Sequence, residues 1–180
     1  RDFPFNVAKS SQSTSIKADD AKRSLVFPSA RFTSGLETIK GGDALWMYGG
    51  AAFAPGFVFI GDVWEYDLTT DMWTQLYDPS APGSTVAPRS FFATSSDKKG
   101  DTVYLYGGDE QPQFIQNELL SWDVTAQDWT VVPLSGDVPP PLYRTAGVNA
   151  NDDFYIVGGY DRPNGQDMPV FAETIYRTEF

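Results

Sequence analysis

The chain has 180 residues, of which 41% are hydrophobic and 15% aromatic, which excludes a disordered segment and allows a sizeable buried core. A net charge of −11 disfavours nucleic acid and anionic lipid as partners, because such a surface repels phosphate. The apolar runs are too short for a membrane span, which needs about 18 residues.

Residues 1–27 precede the first recognisable repeat and are rich in Ser, Thr and Lys. We expect them to form either an outer strand of a preceding repeat or a polar tail. Arg1 in place of an initiating Met suggests a processed or excised segment.

Three runs of apolar, aromatic and β-branched residues each end in a double glycine. In a chain with 16 Gly and 13 Pro, such runs predict short strands and an all-β fold. A glycine at the end of a strand lets backbones approach closely and lets the chain leave with a positive φ. The pairs are Gly49 and Gly50, Gly107 and Gly108, and Gly158 and Gly159.

Other landmarks keep the same order around each glycine pair. A Pro and an Arg open each repeat, at Arg31, Arg89 and Arg144. An aromatic residue, a short polar turn and a Trp seven positions later follow the glycines, as Tyr66 with Trp73 and Trp122 with Trp129. Such rings face each other across a hairpin and add about 1 kcal/mol per pair beyond burial. Each repeat therefore predicts a four-stranded antiparallel meander.

These landmarks resemble those of the kelch family, and the resemblance covers about residues 28–180. It implies a partial kelch-type β-propeller, with four-stranded blades over residues 28–86, 87–140 and 141–180. Family members commonly have six blades around one axis. Trp122 departs from the Tyr expected there, and no histidine follows the opening Arg.

The third repeat is expected to be truncated. Tyr176 takes the place of Tyr66 and Trp122, which would put its partner Trp at position 183, beyond Phe180. Propellers have about 4 to 8 blades, so three cannot close a ring. An open arc leaves apolar blade faces and strand edges in water. We expect further polypeptide to complete the ring, either another fragment of the same protein or a second copy.

Histidine and cysteine are absent, which removes the usual transition-metal ligands, the imidazole base and the thiol nucleophile. The sequence predicts no catalytic residue, no metal site and no cofactor, so the chain is not expected to be an enzyme. The acidic pairs lack the spacing of a calcium loop and are expected to be solvated turn residues. They are Asp19 and Asp20, Asp109 and Glu110, and Asp152 and Asp153.

Two sets of residues are candidates for ligand contact. Arg31, Arg89 and Arg144 are expected at equivalent inner-strand positions near the channel mouth. They would either bind a carboxylate or phosphate as a ring of guanidinium groups or hydrogen-bond blade carbonyls, and their recurrence favours the second role. The uncharged loop over residues 51–61 would either contact a partner or pack on the adjacent blade. Its candidate residues are Phe53, Phe57, Phe59 and Ile60.

The function expected is that of a protein-binding scaffold whose loops form an interaction surface within a larger assembly. The alternative is a carbohydrate-binding or carbohydrate-modifying propeller that uses exposed aromatics and carboxylates. The acidic, lysine-poor surface favours an extracellular or cell-surface location, whereas the absence of an Asn-x-Ser/Thr acceptor argues against a glycosylated, secreted one. The compartment stays open.

Overall fold

In the computed structural model, the described residues are 6–9, 12–15, 26–53, 56–110, 114–161 and 170–178. Within these ranges the chain forms short strands and one 3-10 turn, Lys40–Gly42, and no helix there is long and apolar enough to span a membrane. The strands are β1 (Asn6–Lys9), β2 (Gln12–Ser15), β3 (Gly35–Ile39), β4 (Ala44–Tyr48), β5 (Ala51–Ala52), β6 (Val58–Phe59), β7 (Val63–Asp67), β8 (Met72–Tyr77), β9 (Arg89–Ser90), β10 (Ala93–Ser96), β11 (Thr102–Tyr106), β12 (Asp109–Glu110), β13 (Phe114–Ile115), β14 (Leu119–Asp123), β15 (Asp128–Val132), β16 (Ala146–Ala150), β17 (Asp153–Val157), β18 (Tyr160–Asp161), β19 (Val170–Phe171) and β20 (Ile175–Thr178).

The strands form three successive antiparallel meanders, which confirms the predicted all-β, partial-propeller class. Blade 1 has the order β3-β4-β7-β8, and blade 2 has the order β10-β11-β14-β15. Blade 3 contains β16-β17-β20. The first strands of neighbouring blades, β3, β10 and β16, pack side by side. They are therefore the innermost strands of the arc.

Each blade has two ends with different structure. At the turn end, tight hairpins join the first strand to the second and the third to the fourth. Asp67 stabilises one of these hairpins, because its carboxylate accepts the backbone N–H groups of Thr69 and Thr70, both at 2.8 Å. These bonds lower the pKa of Asp67. Asp123 makes the same pair of bonds in blade 2.

At the opposite end, called the loop end here, the second and third strands are joined by longer segments that carry small hairpins. These are β5 with β6 in blade 1, β12 with β13 in blade 2, and β18 with β19 in blade 3. Strand β9 adds to the hairpin of blade 2. The apolar loop after Gly50 thus has strands of its own, which place its phenylalanines at the loop end.

The aromatic residues spaced by seven lie directly opposite each other. Tyr66 pairs in register with Trp73, and Trp122 with Trp129, with ring centroids 5.0 and 5.2 Å apart. The ring of Trp129 also lies 5.0 Å from that of Tyr48 in blade 1. The second pair therefore packs between blades and stabilises their contact.

A tyrosine and a glycine pair link each blade to the next. The Tyr48 hydroxyl donates to the carbonyl of Ala87, and the Tyr106 hydroxyl to that of Pro139, at 2.9 and 2.8 Å. The Gly50 and Gly108 N–H groups donate to the carbonyls of Arg89 and Leu142 in the following blade. The glycines carry positive φ, 66° at Gly49 and 71° at Gly107, where a side chain would strain the backbone.

The predicted equivalence of Tyr176 with Tyr66 and Trp122 is wrong. Tyr66 pairs with Leu45 and Trp122 with Val103, three residues before the end of the second strand. In blade 3 that place belongs to Thr178, which pairs with Phe154. Tyr176 lies two residues earlier and packs on the core between blades 2 and 3. The register of β20 is therefore the one that buries Tyr176 against blade 2, and not the one that the Tyr-to-Trp spacing predicts.

The described residues leave the face of blade 3 that points away from blade 2 largely exposed. The last residue of the second strand and the first of the third are fully buried against the next blade in blades 1 and 2. These residues are Tyr48, Tyr106, Val63 and Leu119. Their equivalents in blade 3, Val157 and Ile175, are 42% and 64% exposed. Among the described residues, nothing lies within 4 Å of a Cβ added at Gly158, whereas the same atom at Gly49 would lie 2.7 Å from the Arg89 carbonyl oxygen.

Candidate functional site

A continuous band of aromatic rings crosses the loop end from blade 1 to blade 3. Consecutive rings lie 4.1 to 6.4 Å apart, centroid to centroid. This aromatic band consists, in contact order, of Phe59, Phe57, Phe53, Phe32, Phe91, Tyr143, Tyr160 and Phe171. Rings at such distances in tilted or offset geometry attract each other, so the band is an ordered surface.

Short backbone pairings hold the band in place. Phe32 pairs with Ala51, and Tyr143 with Tyr160, as isolated bridges. Phe91 follows β9 with a φ of 61°, a conformation that bulky residues rarely adopt. Strained backbone of this kind is found preferentially at binding sites.

The band is open to solvent at Phe53, Phe57 and Phe171, whereas Tyr143 within it is buried. Phe53 is 73% exposed and Phe171 is 67% exposed, while Phe57 is exposed to a smaller extent. Of the four loop residues predicted to contact a partner, Phe59 and Ile60 are half-buried. Ile60 donates its N–H to the Gly50 carbonyl at 2.9 Å. The structure therefore brings Phe53, Phe57 and Phe59 together in the band and places Ile60 at its base.

Two of the three candidate arginines are buried in ion pairs. The Arg31 guanidinium pairs with Asp62 and donates to the Gly49 carbonyl at 3.1 Å. Arg89 donates to the Gly107 carbonyl at 3.4 Å and pairs with Glu118 at 3.2 Å and with Glu110. These contacts offset both charges and link the opening segment of a blade to its own third strand.

The expected equivalence of Arg144 with Arg31 and Arg89 is wrong. Tyr143, Phe32 and Ser90 occupy the same place, because each pairs with the residue after its glycine pair. Leu142 therefore stands where Arg31 and Arg89 stand in the other blades, and it is buried in the core between blades 2 and 3. Arg144 instead matches Thr33 and Phe91, which share its positive φ. Its guanidinium lies over the Phe91 ring, 5.0 Å from the centroid.

The sequence predicts a solvated turn at residues 109–110, and this prediction is wrong. Both residues are half-buried in β12, where Glu110 contacts Arg89 and accepts a bond from Gln116 at 3.1 Å. Burial raises the pKa of the Glu110 carboxyl, which Arg89 opposes and Glu118 reinforces. Asp152 lies in an exposed turn, whereas Asp153 pairs with Arg177 at 2.9 Å, and Asp19 and Asp20 lie outside the described residues.

The described residues contain no group of three carboxylates that could hold a metal ion. Three carboxylates at the loop end, those of Asp62, Glu110 and Glu118, are instead engaged with Arg31 and Arg89. The chemistry of this end is therefore that of aromatic surface and guanidinium groups, which suits recognition of another molecule.

Comparison with protein families agrees with the blade geometry. Residues 11–159 match the family model described as the KLHDC2/KLHL20/DRC7 Kelch-repeats domain. The chain belongs to the kelch-repeat family. Kelch repeats generally serve as protein-interaction scaffolds, and kelch domains bind protein partners.

Several curated proteins are similar to this kelch chain. Acyl-CoA-binding domain-containing protein 5 of Arabidopsis thaliana is 30% identical over 111 residues, 62% of this chain and 16% of that protein. Kelch domain-containing protein 3 of Bos taurus is 30% identical over 104 residues, 56% of this chain and 27% of that protein. N-(sulfonatooxy)prop-2-enimidothioate sulfolyase of Thlaspi arvense is 32% identical over 82 residues, 44% of this chain and 23% of that protein. The matched part thus spans about a quarter or less of each relative.

Proposed function

We propose that this kelch chain binds a protein partner through the aromatic band at its loop end. The observation that carries the proposal is the unbroken contact of eight rings across three blades, of which Phe53, Phe57 and Phe171 are exposed. Phe53 and Phe57 contact each other and together expose apolar surface, and exposed apolar patches mark interaction sites. Aromatic residues are also enriched at the centres of protein interfaces, where they supply much of the binding free energy.

The partner is expected to present a short segment that lies along the band. The blades fix the rings in position, so little conformational entropy is lost on binding. Differences in sequence among the loops over residues 51–61, 109–117 and 160–170 would set the specificity. Phe53 in blade 1 and Phe171 in blade 3 are the most exposed rings of the band.

The test is selection of ligands from a peptide library displaying the source proteome, with three immobilised proteins. These are the unmodified chain, a Phe53→Ser/Phe171→Ser variant, and a Val131→Ser control that changes an exposed residue on the outer strand of blade 2. Segments retained by the unmodified chain and the control should be lost on the double variant by about tenfold or more. Equal retention by all three proteins would rule out the band as the binding surface.

Carbohydrate is the alternative ligand, since sugars also stack on exposed rings. Competition of the selected segments by free sugars would favour it. One relative is named as a sulfolyase, but the match covers 23% of that protein, and we propose no reaction for this chain.

We also propose that the exposed face of blade 3 docks against a further kelch blade, in the same protein or in a second copy. The support comes from the repeat, because in both blade 1 and blade 2 the residues equivalent to Val157 and Ile175 are buried against the following blade. The open space beside Gly158 corresponds to the place where a carbonyl oxygen of the following blade lies close to Gly49 and to Gly107. Isolated blade faces of this kind should associate in solution.

Native mass spectrometry tests this second proposal. The chain should form complexes larger than its 19.9 kDa mass, and Ile175→Lys should reduce their abundance while Val131→Lys should not. A stable monomer at micromolar concentration would contradict the proposal.

A further inference from the structure

Among the described residues, Arg144 contacts the aromatic band and forms no ion pair. Its guanidinium carbon lies 5.0 Å from the centroid of Phe91 and 6.0 Å from those of Tyr143 and Tyr160. None of the described residues accepts a hydrogen bond from this guanidinium. Arg31 and Arg89, by contrast, each pair with a carboxylate.

The backbone fixes Arg144 on the rings. Its φ is 57°, and its N–H donates to the carbonyl of Phe91 in the preceding blade at 2.6 Å. The buried side chain of Leu142 occupies the place in which Arg31 and Arg89 form their ion pairs. The exposed arginine of blade 3 is therefore held two residues away from the position at which Arg31 and Arg89 form their ion pairs.

Stacking leaves the donors of the guanidinium available. A guanidinium over aromatic faces keeps the N–H groups at its edge, and those groups match the two oxygens of a carboxylate. A partner that covers the rings around Arg144 would exclude water from the guanidinium and so strengthen such a bond. The net charge of −11 repels an extended acidic run, which favours a single carboxylate among apolar residues.

We propose that Arg144 is the anion-binding position of the aromatic band, and that it receives one Asp or Glu side chain next to an apolar or aromatic residue of the partner segment. This inference rests on the proposed function of the band. It adds the chemistry of the partner, because the neighbouring rings bind the apolar residue while Arg144 binds the carboxylate.

The test uses peptides selected on the unmodified chain from a random library and resynthesised with both ends blocked. Fluorescence polarisation gives the Kd of each peptide and of its Asp-to-Asn or Glu-to-Gln analogue. The proteins are the unmodified chain, Arg144→Met, Phe53→Ser and the control Arg177→Met, which removes an exposed arginine paired with Asp153. Circular dichroism spectra verify that each variant is folded.

The expected result is that Arg144→Met weakens binding by about tenfold or more and that the amide analogues lose the same factor on the unmodified chain only. Arg177→Met should leave the Kd unchanged. If Phe53→Ser weakens binding but Arg144→Met does not, the band binds protein and the inference about Arg144 is wrong. If neither variant changes the Kd, or no peptide is selected, both proposals fail. Binding that requires a free carboxyl terminus or a phosphate would also overturn the inference.

Discussion

At the residue scale, the ion pairs of Arg31 and Arg89 replace the ligand-binding ring that the sequence allowed. Each guanidinium holds the opening segment of its blade against the third strand, through Asp62 in blade 1 and Glu118 in blade 2. Arg144 differs because Leu142 occupies the equivalent buried place. The three arginines therefore divide into two that support the blades and one that faces the solvent.

Glu110 provides a prediction about pH. Its pKa is raised in the folded chain, chiefly by burial, so the folded state binds its proton at a higher pH than the unfolded state does. Protonation of this group therefore adds stability as pH falls from above the folded pKa to below the unfolded one, and that contribution is absent at neutral pH. Urea denaturation of the unmodified chain and Glu110→Gln between pH 7 and pH 4 measures it. The stability of the unmodified chain relative to the variant should rise as the pH falls, and a constant difference would contradict the raised pKa.

At the element scale, the two cross-strand aromatic pairs have the same geometry and different surroundings. Trp129 is buried between blades against Tyr48 and Trp46, whereas Trp73 is half-buried on the other side of blade 1. Trp129→Ala should lower the free energy of unfolding by about 3 to 5 kcal/mol, and Trp73→Ala by roughly half as much. Chemical denaturation compares the two variants. Equal losses would show that Trp129 does not support the contact between blades 1 and 2.

Much of the element structure could be predicted from the sequence. The spacing of seven between Tyr66 and Trp73 places them opposite each other in a hairpin, and the glycine pairs mark turns with positive φ. The prediction was wrong in the third repeat, because Arg144 and Tyr176 each lie two residues from the position that the other repeats indicate. Register there follows burial against blade 2, through Leu142 and Tyr176, which is a tertiary contact that a single sequence does not reveal.

The aromatic band could be predicted only in part from the sequence. The loop phenylalanines were visible as an uncharged, Phe-rich segment, and the structure adds Phe32, Phe91, Tyr143, Tyr160 and Phe171. Phe32, Phe91 and Tyr143 come from three different repeats, and their rings meet because consecutive blades stack. A useful indication in the sequence was the aromatic residue within two positions of the opening Arg of each repeat, at Phe32, Phe91 and Tyr143.

At the scale of the whole molecule, glycine contacts distinguish joined blades from an open face. Gly107 and Gly158 are equivalent and have similar φ angles, 71° and 68°. A Cβ at Gly107 would collide with the Leu142 carbonyl oxygen, whereas none of the described residues is near Gly158. Both Ala variants should lose about 1 to 2 kcal/mol from the left-handed backbone, and Gly107→Ala should lose about 1 to 3 kcal/mol more. Thermal or chemical denaturation of the two variants at the same protein concentration provides the comparison, and equal losses would contradict the stacking of blade 2 on blade 3.

The most direct test of partner binding at the loop end is hydrogen–deuterium exchange of the chain with and without a selected peptide. Binding should slow exchange at residues 51–53, 56–60, 143–145 and 170–172, which carry or adjoin the band. The hairpins at the turn end, residues 68–71 and 124–127, should exchange at unchanged rates. Protection confined to the turn end, or to the outer strands β8 and β15, would contradict the assignment of the aromatic band as the binding surface.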